Sequence, residues 1–330
     1  MPACGPDDVV VRNVRSSVCG TDAAVWARGP ETGHKVTVGG EFGHEAVSRV
    51  VAVGENVTGF SVGDRVYPYP LLARGDTSRA GTMGAFSECM LVPHPHEGRE
   101  LYHVPDAISD EAACLIEPFT VGCRAARRSN PQRGERAIVY GAGTIGIAAA
   151  IALKYFGVEG VLVADRSPLR LQKAAELGFA VCNNAETDAI EAASALFGHA
   201  RSLDGWTADA DIFIDAAGAQ PILEEFTSRG KIGSRFVEVA VGDARRQVDL
   251  LALTYGQKSI AGSGGYFPED VRDVMAIMAS GHWDVARITT HVFPLSHIAE
   301  AIELAGHADE SLNVCIDMLA EAGDARWKTL

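Results

Sequence analysis

Four side chains able to bind a metal stand out: Cys19 in VCGTD, His44 and Glu45 in GEFGHEA, and Glu117 in LIEPF. A thiolate, an imidazole and carboxylates are donors that zinc accepts at about 2.0–2.3 Å, and a catalytic site leaves one position open. These residues are far apart in the chain, so only the fold can unite them, and their spacing alone is weak evidence. His44 and Glu45 are neighbours. In an ideal strand they point to opposite faces, so joint ligation requires a bend. One division makes His44 the permanent ligand, with Glu45 behind or beside the metal. Asp22, three residues past Cys19, is suited to orient His44 through its second ring nitrogen. Taken singly, each residue has an ordinary structural reading. Cys19 is then a buried apolar filler, His44 a hydrogen-bonded core histidine, Glu45 a surface charge and Glu117 a helix-end acid.

A second pattern is GAGTIG, with Gly141, Gly143 and Gly146, directly after the apolar strand AIVY and before the helix-compatible run IGIAAAIALKYFG. The first glycine permits a tight turn, the second lets a pyrophosphate approach the backbone, and the third permits close packing of helix on strand. Thr144 and Ile145 open that helix, whose free N–H groups and dipole favour phosphate. Another strand, VEGVLVAD, ends in Asp165, 24 residues after Gly141. A carboxylate there accepts hydrogen bonds from the adenosine ribose and repels a 2′-phosphate, which points to NAD rather than NADP. Arg166 follows and softens that discrimination. The ordinary alternative is a βα turn with a surface aspartate.

The elements that must position these residues fall into two kinds. VVVRNV (9–14), EAVSRVVAVG (45–54), DRVYPYP (64–70) and FSECMLVP (86–93) are short strands bounded by Gly or Pro, as in a small irregular barrel. The run 109–129 has helical spacing, with Ser109 as N-cap. AIVYGAG, VLVAD, ADIFIDAAG and SRFVEVAVG then read as four buried strands with helices between, including 167–178 and 220–230, which implies a doubly wound parallel sheet. The segments 268–281 and 297–306 read as further helices.

The 330 residues are too many for one ordinary core, so two domains are expected. A net charge of −14 opposes binding to nucleic acid. MPACGPDDVV has no basic end followed by an apolar run, so no signal peptide is expected, and the longest uncharged run, 137–153, fits a strand–turn–helix better than a membrane span. Seven cysteines at wide spacings, with no CxxC, imply a reduced, cytoplasmic setting.

VCGTD, GHEAVSRVVAVGENV, VGDRV, IEPFTVGCRAARR and VYGAGTIG occur in the order seen in zinc-dependent medium-chain dehydrogenases, and the chain resembles that family over nearly its whole length. FIDAAG, GSGGY, PEDV and THVFPLSHIAEAIELA continue the likeness, and Glu117–Pro118 resembles the sorbitol, butanediol and threonine dehydrogenase branch. The resemblance implies a GroES-like irregular β-barrel catalytic domain from 1–118 and 268–330, and a Rossmann domain from 119–267. It implies catalytic zinc on Cys19, His44 and Glu117, with Glu45 contacting the metal directly or through water. Thr21 relays the alcohol proton. Gly141, Gly143, Gly146 and Asp165 hold NAD, and a dimer or tetramer joins through the cofactor domains.

Four departures from the family accompany the likeness. PLLARGDTSRAGTM (70–83) lacks the four cysteines of a second, structural zinc, so one Zn2+ per chain is expected. Ala24 stands where relatives often end a proton relay with histidine. Asn313 replaces a Lys or Arg often found near the C-terminus. Relatives also begin with about two more strands than this sequence: either the barrel is trimmed, which would expose backbone donors and acceptors, or the start codon was assigned late.

The expected activity is hydride transfer between a secondary alcohol, polyol, diol or amino alcohol and NAD. Glu117 in place of a thiolate suits a vicinal hydroxyl. Tyr67, Tyr69, Trp26 and Phe86 are either pocket walls or barrel core. His34, His94, His96 and His103 default to surface or loop positions, and the cysteines other than Cys19 to buried small residues. Two competing readings are a metal-free NADP reductase on the same fold, which needs no ligands at 19, 44 and 117 and prefers a basic residue at 165, and a cofactor-binding protein without catalysis.

Overall fold

The structure is a computed structural model and describes residues 1–29, 36, 39–70, 83–242 and 245–320. His34 and nearly all of the segment 70–83 lie outside the described residues. The chain divides into two compact units, Met1–Pro118 with Met278–Leu330, and Phe119–Ile277.

The first unit is the GroES-like irregular barrel. Its sheet runs in the order β14 (Thr289–Pro294), β15 (Asn313–Asp317), β1 (Asp8–Ser17), β2 (Glu45–Val53), β3 (Arg65–Pro68), β5 (Leu101–His103), with β4 (Cys89–Pro93) also paired to β1. Every pairing is antiparallel except β14 with β15. β1 is long and rich in valine, so it serves as the shared central strand, and register shifts at Val10/Val11 and Asn13/Arg15 bend it. Val9, Val11, Val50, Val66, Met90 and Leu101 meet in its core. Tyr67 and Tyr69 are buried there with Tyr102, so they are core residues. Trp26 is exposed and Phe86 half-buried.

The second unit is the doubly wound sheet. Its six parallel strands stand in the order β13 (Ser259–Gly262), β12 (Arg235–Glu238), β11 (Ile212–Asp215), β6 (Arg136–Tyr140), β7 (Gly160–Asp165), β8 (Ala180–Asn183). Strand order reverses direction between β6 and β11, and ligands of such sheets bind at the carboxyl ends of the strands beside that point. Tyr140, Asp215, Glu238 and Gly262 stand side by side at those ends. Phe213, Phe226 and Phe236 pack with ring centroids 5.1–5.2 Å apart beneath them.

Several expectations are corrected. The sheet has six strands, not four. β8 and β13 are short and built largely from Ala, Ser, Gly and Asn, which carry little strand signal. The run 109–129 is two helices, Asp110–Ala113 and Ile116–Arg128, although Ser109 does cap the first by accepting from the Ala112 amide at 3.2 Å. A hairpin of β9 (His199–Ser202) and β10 (Gly205–Ala208), and the helices Gly20–Arg28 and Leu250–Gly256, carried no periodicity long enough to read. Cys4 and Cys89 are half-buried, while Cys114, Cys123, Cys182 and Cys315 are buried, and all seven thiols are free. His94, His96 and His103 are exposed. Among the described residues no helix is long and apolar enough to cross a membrane.

Candidate metal centre and cofactor loop

β1 ends at Ser17, and two residues later Cys19 begins the helix Gly20–Arg28 in extended conformation. The Asp22 carboxylate accepts from the Cys19 amide at 3.0 Å and so closes the first helical turn. Thr21 sits half-buried in that turn. β1 pairs with β2 so that Ser17 faces Glu45, which brings Cys19 next to the start of β2.

The bend that joint ligation demands is present. Gly43 has φ 81°, a left-handed value that glycine adopts without strain, and a Cβ there would lie 2.7 Å from the Phe86 ring. Its carbonyl accepts from the amides of Gly84 and Ala85 at 3.0 and 3.1 Å. Asn13 anchors that loop by donating to the carbonyls of Gly84 and Ser87, and Ser48 donates to Asn13 Oδ1. His44 therefore leaves the kink before the strand begins and Glu45 starts the strand, so the opposite-face rule does not separate them.

One ligand atom each from Cys19, His44 and Glu45 lies within 4.8 Å of the others. Glu117 is buried in the first turn of Ile116–Arg128 and acts electrostatically on His44 and Asp22, but it does not join that three-residue group. Asp22 Oδ1 lies 3.8 Å from His44 Nδ1, an ion-pair separation beyond hydrogen-bond reach, so the expected orienting bond is not formed.

Electrostatics set the protonation of the cluster. Burial pushes the Cys19 thiol up to about 11, with the Glu45 charge adding to it and His44 opposing. Burial and a carboxylate neighbour push Asp22 up to about 6, against the pull of His44 and the Cys19 amide. Burial likewise raises Glu45, while His44 and the Ser17 hydroxyl oppose. Burial alone would lower His44, but Asp22, Cys19 and Glu117 carry it well above the ordinary imidazole value. A buried thiol and carboxyl held against ionisation beside an imidazole form a site that a divalent cation relieves, because its charge replaces the proton. His44 Nδ1 and Glu45 Oε2 are buried with no hydrogen-bond partner. Soft, borderline and hard donors with two orphaned atoms fit zinc.

In the second unit the GAGTIG loop follows β6. Gly141 has φ 98°, and a Cβ there would meet the Ala216–Ala217 backbone at 3.0 Å. A Cβ on Gly146 would overlap the Gly141 carbonyl oxygen, so this glycine serves contact within the loop more than contact with the strand. Gly143 caps the helix Thr144–Tyr155, and the nearest atom to a Cβ placed there is Arg170 Nη1 at 3.6 Å. That leaves open space over the amides of Thr144 and Ile145. Asp165 Oδ2 accepts from the Ala142 amide at 2.6 Å, and Oδ1 from the amides of Arg166 and Ser167 at 2.7 and 2.8 Å. Its carboxylate thus ties β7 to the glycine loop, and Arg166 is exposed beside it.

The sequence did not disclose a charged group at the neighbouring strand ends. Arg246 bridges Asp215 at 3.0 Å and Glu238 at 2.8 Å, and Asp215 Oδ1 accepts from the amides of Ala217 and Gly218. The only signal available was acids at the ends of β11 and β12. Burial, reinforced by Asp215 and opposed by Arg246, pushes Glu238 up to about 7 from an ordinary 4.5. Between those values the folded protein holds a proton that the unfolded chain has lost. The stability from this group is therefore complete below pH 4.5 and is lost as pH rises through 7. Glu238→Gln is expected to reduce the wild-type loss of stability between pH 5 and 8 by about 1 kcal/mol, after discounting for partial exposure. Thermal melting at both pH values checks this, and an unchanged pH dependence contradicts it.

Two sequence models match the chain: one described as zinc-binding dehydrogenase, over residues 144–280, and one as the alcohol dehydrogenase GroES-like domain, over residues 5–106. Sorbitol dehydrogenase of Gallus gallus is 29% identical over 321 residues, spanning 92% of this chain and 87% of that protein. The structure of 2R,3R-butanediol dehydrogenase from Bacillus subtilis superposes with TM-score 0.82 at 24% identity, covering 96% of this chain and 94% of that one. An alcohol dehydrogenase from Escherichia coli CFT073, solved with NADH, superposes with TM-score 0.80 at 27% identity, covering 96% and 94%. With both sequence models in chain order and the two folds in place, the chain belongs to the zinc-type medium-chain dehydrogenase family.

Proposed function

We propose that the protein is a zinc-dependent, NAD-dependent dehydrogenase of secondary alcohols, with polyols, diols and amino alcohols as the substrate class. The observation that carries this reading is the convergence of Cys19, His44 and Glu45 on one point in a family of zinc-binding dehydrogenases. When bound, zinc supplies the Lewis acidity that makes an alcohol hydroxyl acidic near neutral pH, and NAD supplies the hydride acceptor. Cys19 and His44 would hold the ion with Glu45 as the third converging donor, and Glu117 would supply a further buried carboxylate that acts on His44. Thr21 accepts the alcohol proton and passes it toward solvent, since Ala24 offers no side chain to continue a relay. The buried walls around His44 and Glu45 exclude water from the reacting hydroxyl. Purified protein is expected to carry about one zinc per chain and to reduce NAD with at least one member of a polyol, diol and amino-alcohol panel. Full activity in metal-free protein rejects the reading.

NAD over NADP is supported by Asp165, an acid at the end of the strand that follows the glycine loop, where a carboxylate favours the ribose hydroxyls and opposes a 2′-phosphate. Sorbitol dehydrogenase and the NADH-bound alcohol dehydrogenase supply the analogy for substrate class and cofactor. Asp165→Ser is expected to shift the NAD/NADP preference by about tenfold toward NADP, because removing one like charge is worth on the order of 1–2 kcal/mol at such a site. Ratios of kcat/KM for the two cofactors check it, and an unchanged ratio contradicts the role.

The reading includes a homodimer or homotetramer working in the cytoplasm. Its support is the sheet-edge strand β13, with Ile260 exposed on it, together with Leu250, Leu251 and Tyr255 exposed on the helix beside it in sequence. Light scattering at a single chain mass contradicts it.

A further inference from the structure

Next to Glu45 lies a row of buried polar side chains that the dehydrogenase reading does not use. Ser17 is directly opposite Glu45 across β1 and β2, and directly opposite Cys315 across β1 and β15. Asn313 lies two residues before Cys315 and faces Thr289 across β15 and β14. Directly opposed residues share a sheet face, and so do residues two apart in a strand. Glu45, Ser17, Asn313, Cys315 and Thr289 therefore form one row over four adjacent strands, and each is buried.

The hydrogen bonds in this row have a direction. Asn313 Oδ1 accepts from Cys315 Sγ at 3.1 Å and from Thr289 Oγ1 at 3.5 Å. Two donors on that oxygen fix the amide orientation and turn Nδ2 toward Ser17, whose Oγ it meets at 2.9 Å. With its oxygen taken as acceptor, the Ser17 hydroxyl has its proton free on the face it shares with the directly opposed Glu45, and it counters the burial of that acid. Glu45 Oε2 is left without a hydrogen-bond partner. A glutamate side chain has three rotatable bonds, and a donor on one side restricts that freedom.

We propose that Ser17 and Asn313 are positioning residues that fix the Glu45 carboxylate against the Cys19–His44 pair as part of the metal-binding set. The inference rests on the metal reading above and deepens it. Ser17 acts on Glu45 directly, and Asn313 acts through Ser17. Neither touches substrate. Partners that orient metal ligands typically contribute 10–100-fold in metal affinity.

The test uses full-length protein loaded with zinc, or with cobalt(II) as a spectroscopic substitute. Ser17→Ala deletes one oxygen, and Asn313→Ala deletes the donor to it. Each is compared with wild type by chelator competition for zinc, by the visible absorption of the cobalt form, and by thermal melting of the metal-free protein. Ser17→Ala is expected to bind zinc about tenfold or more weakly and to shift the cobalt bands, with Asn313→Ala changing both in the same direction. A purely structural role would lower the melting temperature without moving the cobalt bands. Zinc affinity and cobalt spectrum equal to wild type in folded Ser17→Ala overturn the positioning role alone. A wild-type protein that takes up neither metal overturns the metal reading and the positioning role with it.

Discussion

Cys19→Ser protein is expected to purify with far less than one zinc per chain and to oxidise its alcohol at least about a thousandfold more slowly than wild type. A serine hydroxyl is a harder donor with a pKa far above that of the thiol it replaces, and it does not surrender its proton to zinc as a thiol does. The Lewis-acid contribution lost is several kcal/mol, and each 1.4 kcal/mol is a factor of ten in rate. The substitution is nearly isosteric. The Asp22 bond is made to the backbone amide of residue 19, so the helix start survives. Circular dichroism should match wild type while zinc analysis and turnover do not. Zinc retained at full stoichiometry, or activity within tenfold of wild type, contradicts the place given to Cys19.

The second large effect concerns Gly146. An alanine there gains about 1 kcal/mol in helix propensity. Its methyl, however, would overlap the carbonyl oxygen of Gly141, a backbone atom held in a loop whose own glycine has a left-handed φ. Neither the helix nor the loop can yield without displacing the other, and overpacking costs about 1–3 kcal/mol or more. The steric effect wins. Gly146→Ala is expected to melt several degrees lower and to lose NADH binding, read by quenching or calorimetry. Gly143→Ala separates packing from binding, because a methyl there meets nothing closer than Arg170 Nη1 at 3.6 Å. It should melt as wild type does yet bind NADH more weakly, since the methyl fills space a pyrophosphate would use. Equal cofactor affinity in both variants contradicts the assignment of the loop.

These contrasts show which features the sequence could carry. The glycine loop and Asp165 were legible because a strand, a turn and a helix within about 30 residues impose local rules on residue type. The candidate metal residues are legible as types but not as a group. Cys19 and His44 meet only because β1 pairs with β2 and because Gly43 turns the chain, and nothing in GEFGHEA alone announces a left-handed kink. Asn313 stands out in the sequence only as a departure from the family, because its partner Ser17 lies 296 residues away, joined through the β1–β15 register that only the folded sheet fixes. Arg246 was equally silent, because an arginine in a loop rich in charge gives no hint of the two acids it bridges. The strands β8 and β13 are not legible in the sequence because tertiary pairing overrides weak local propensity.

X-ray absorption at the zinc edge of purified protein tests the central claim most directly. The account predicts one zinc per chain with a single sulfur neighbour at about 2.3 Å and its remaining neighbours nitrogen or oxygen at about 2.0–2.2 Å. Protein without zinc, or a first shell with no sulfur or with several, would contradict it.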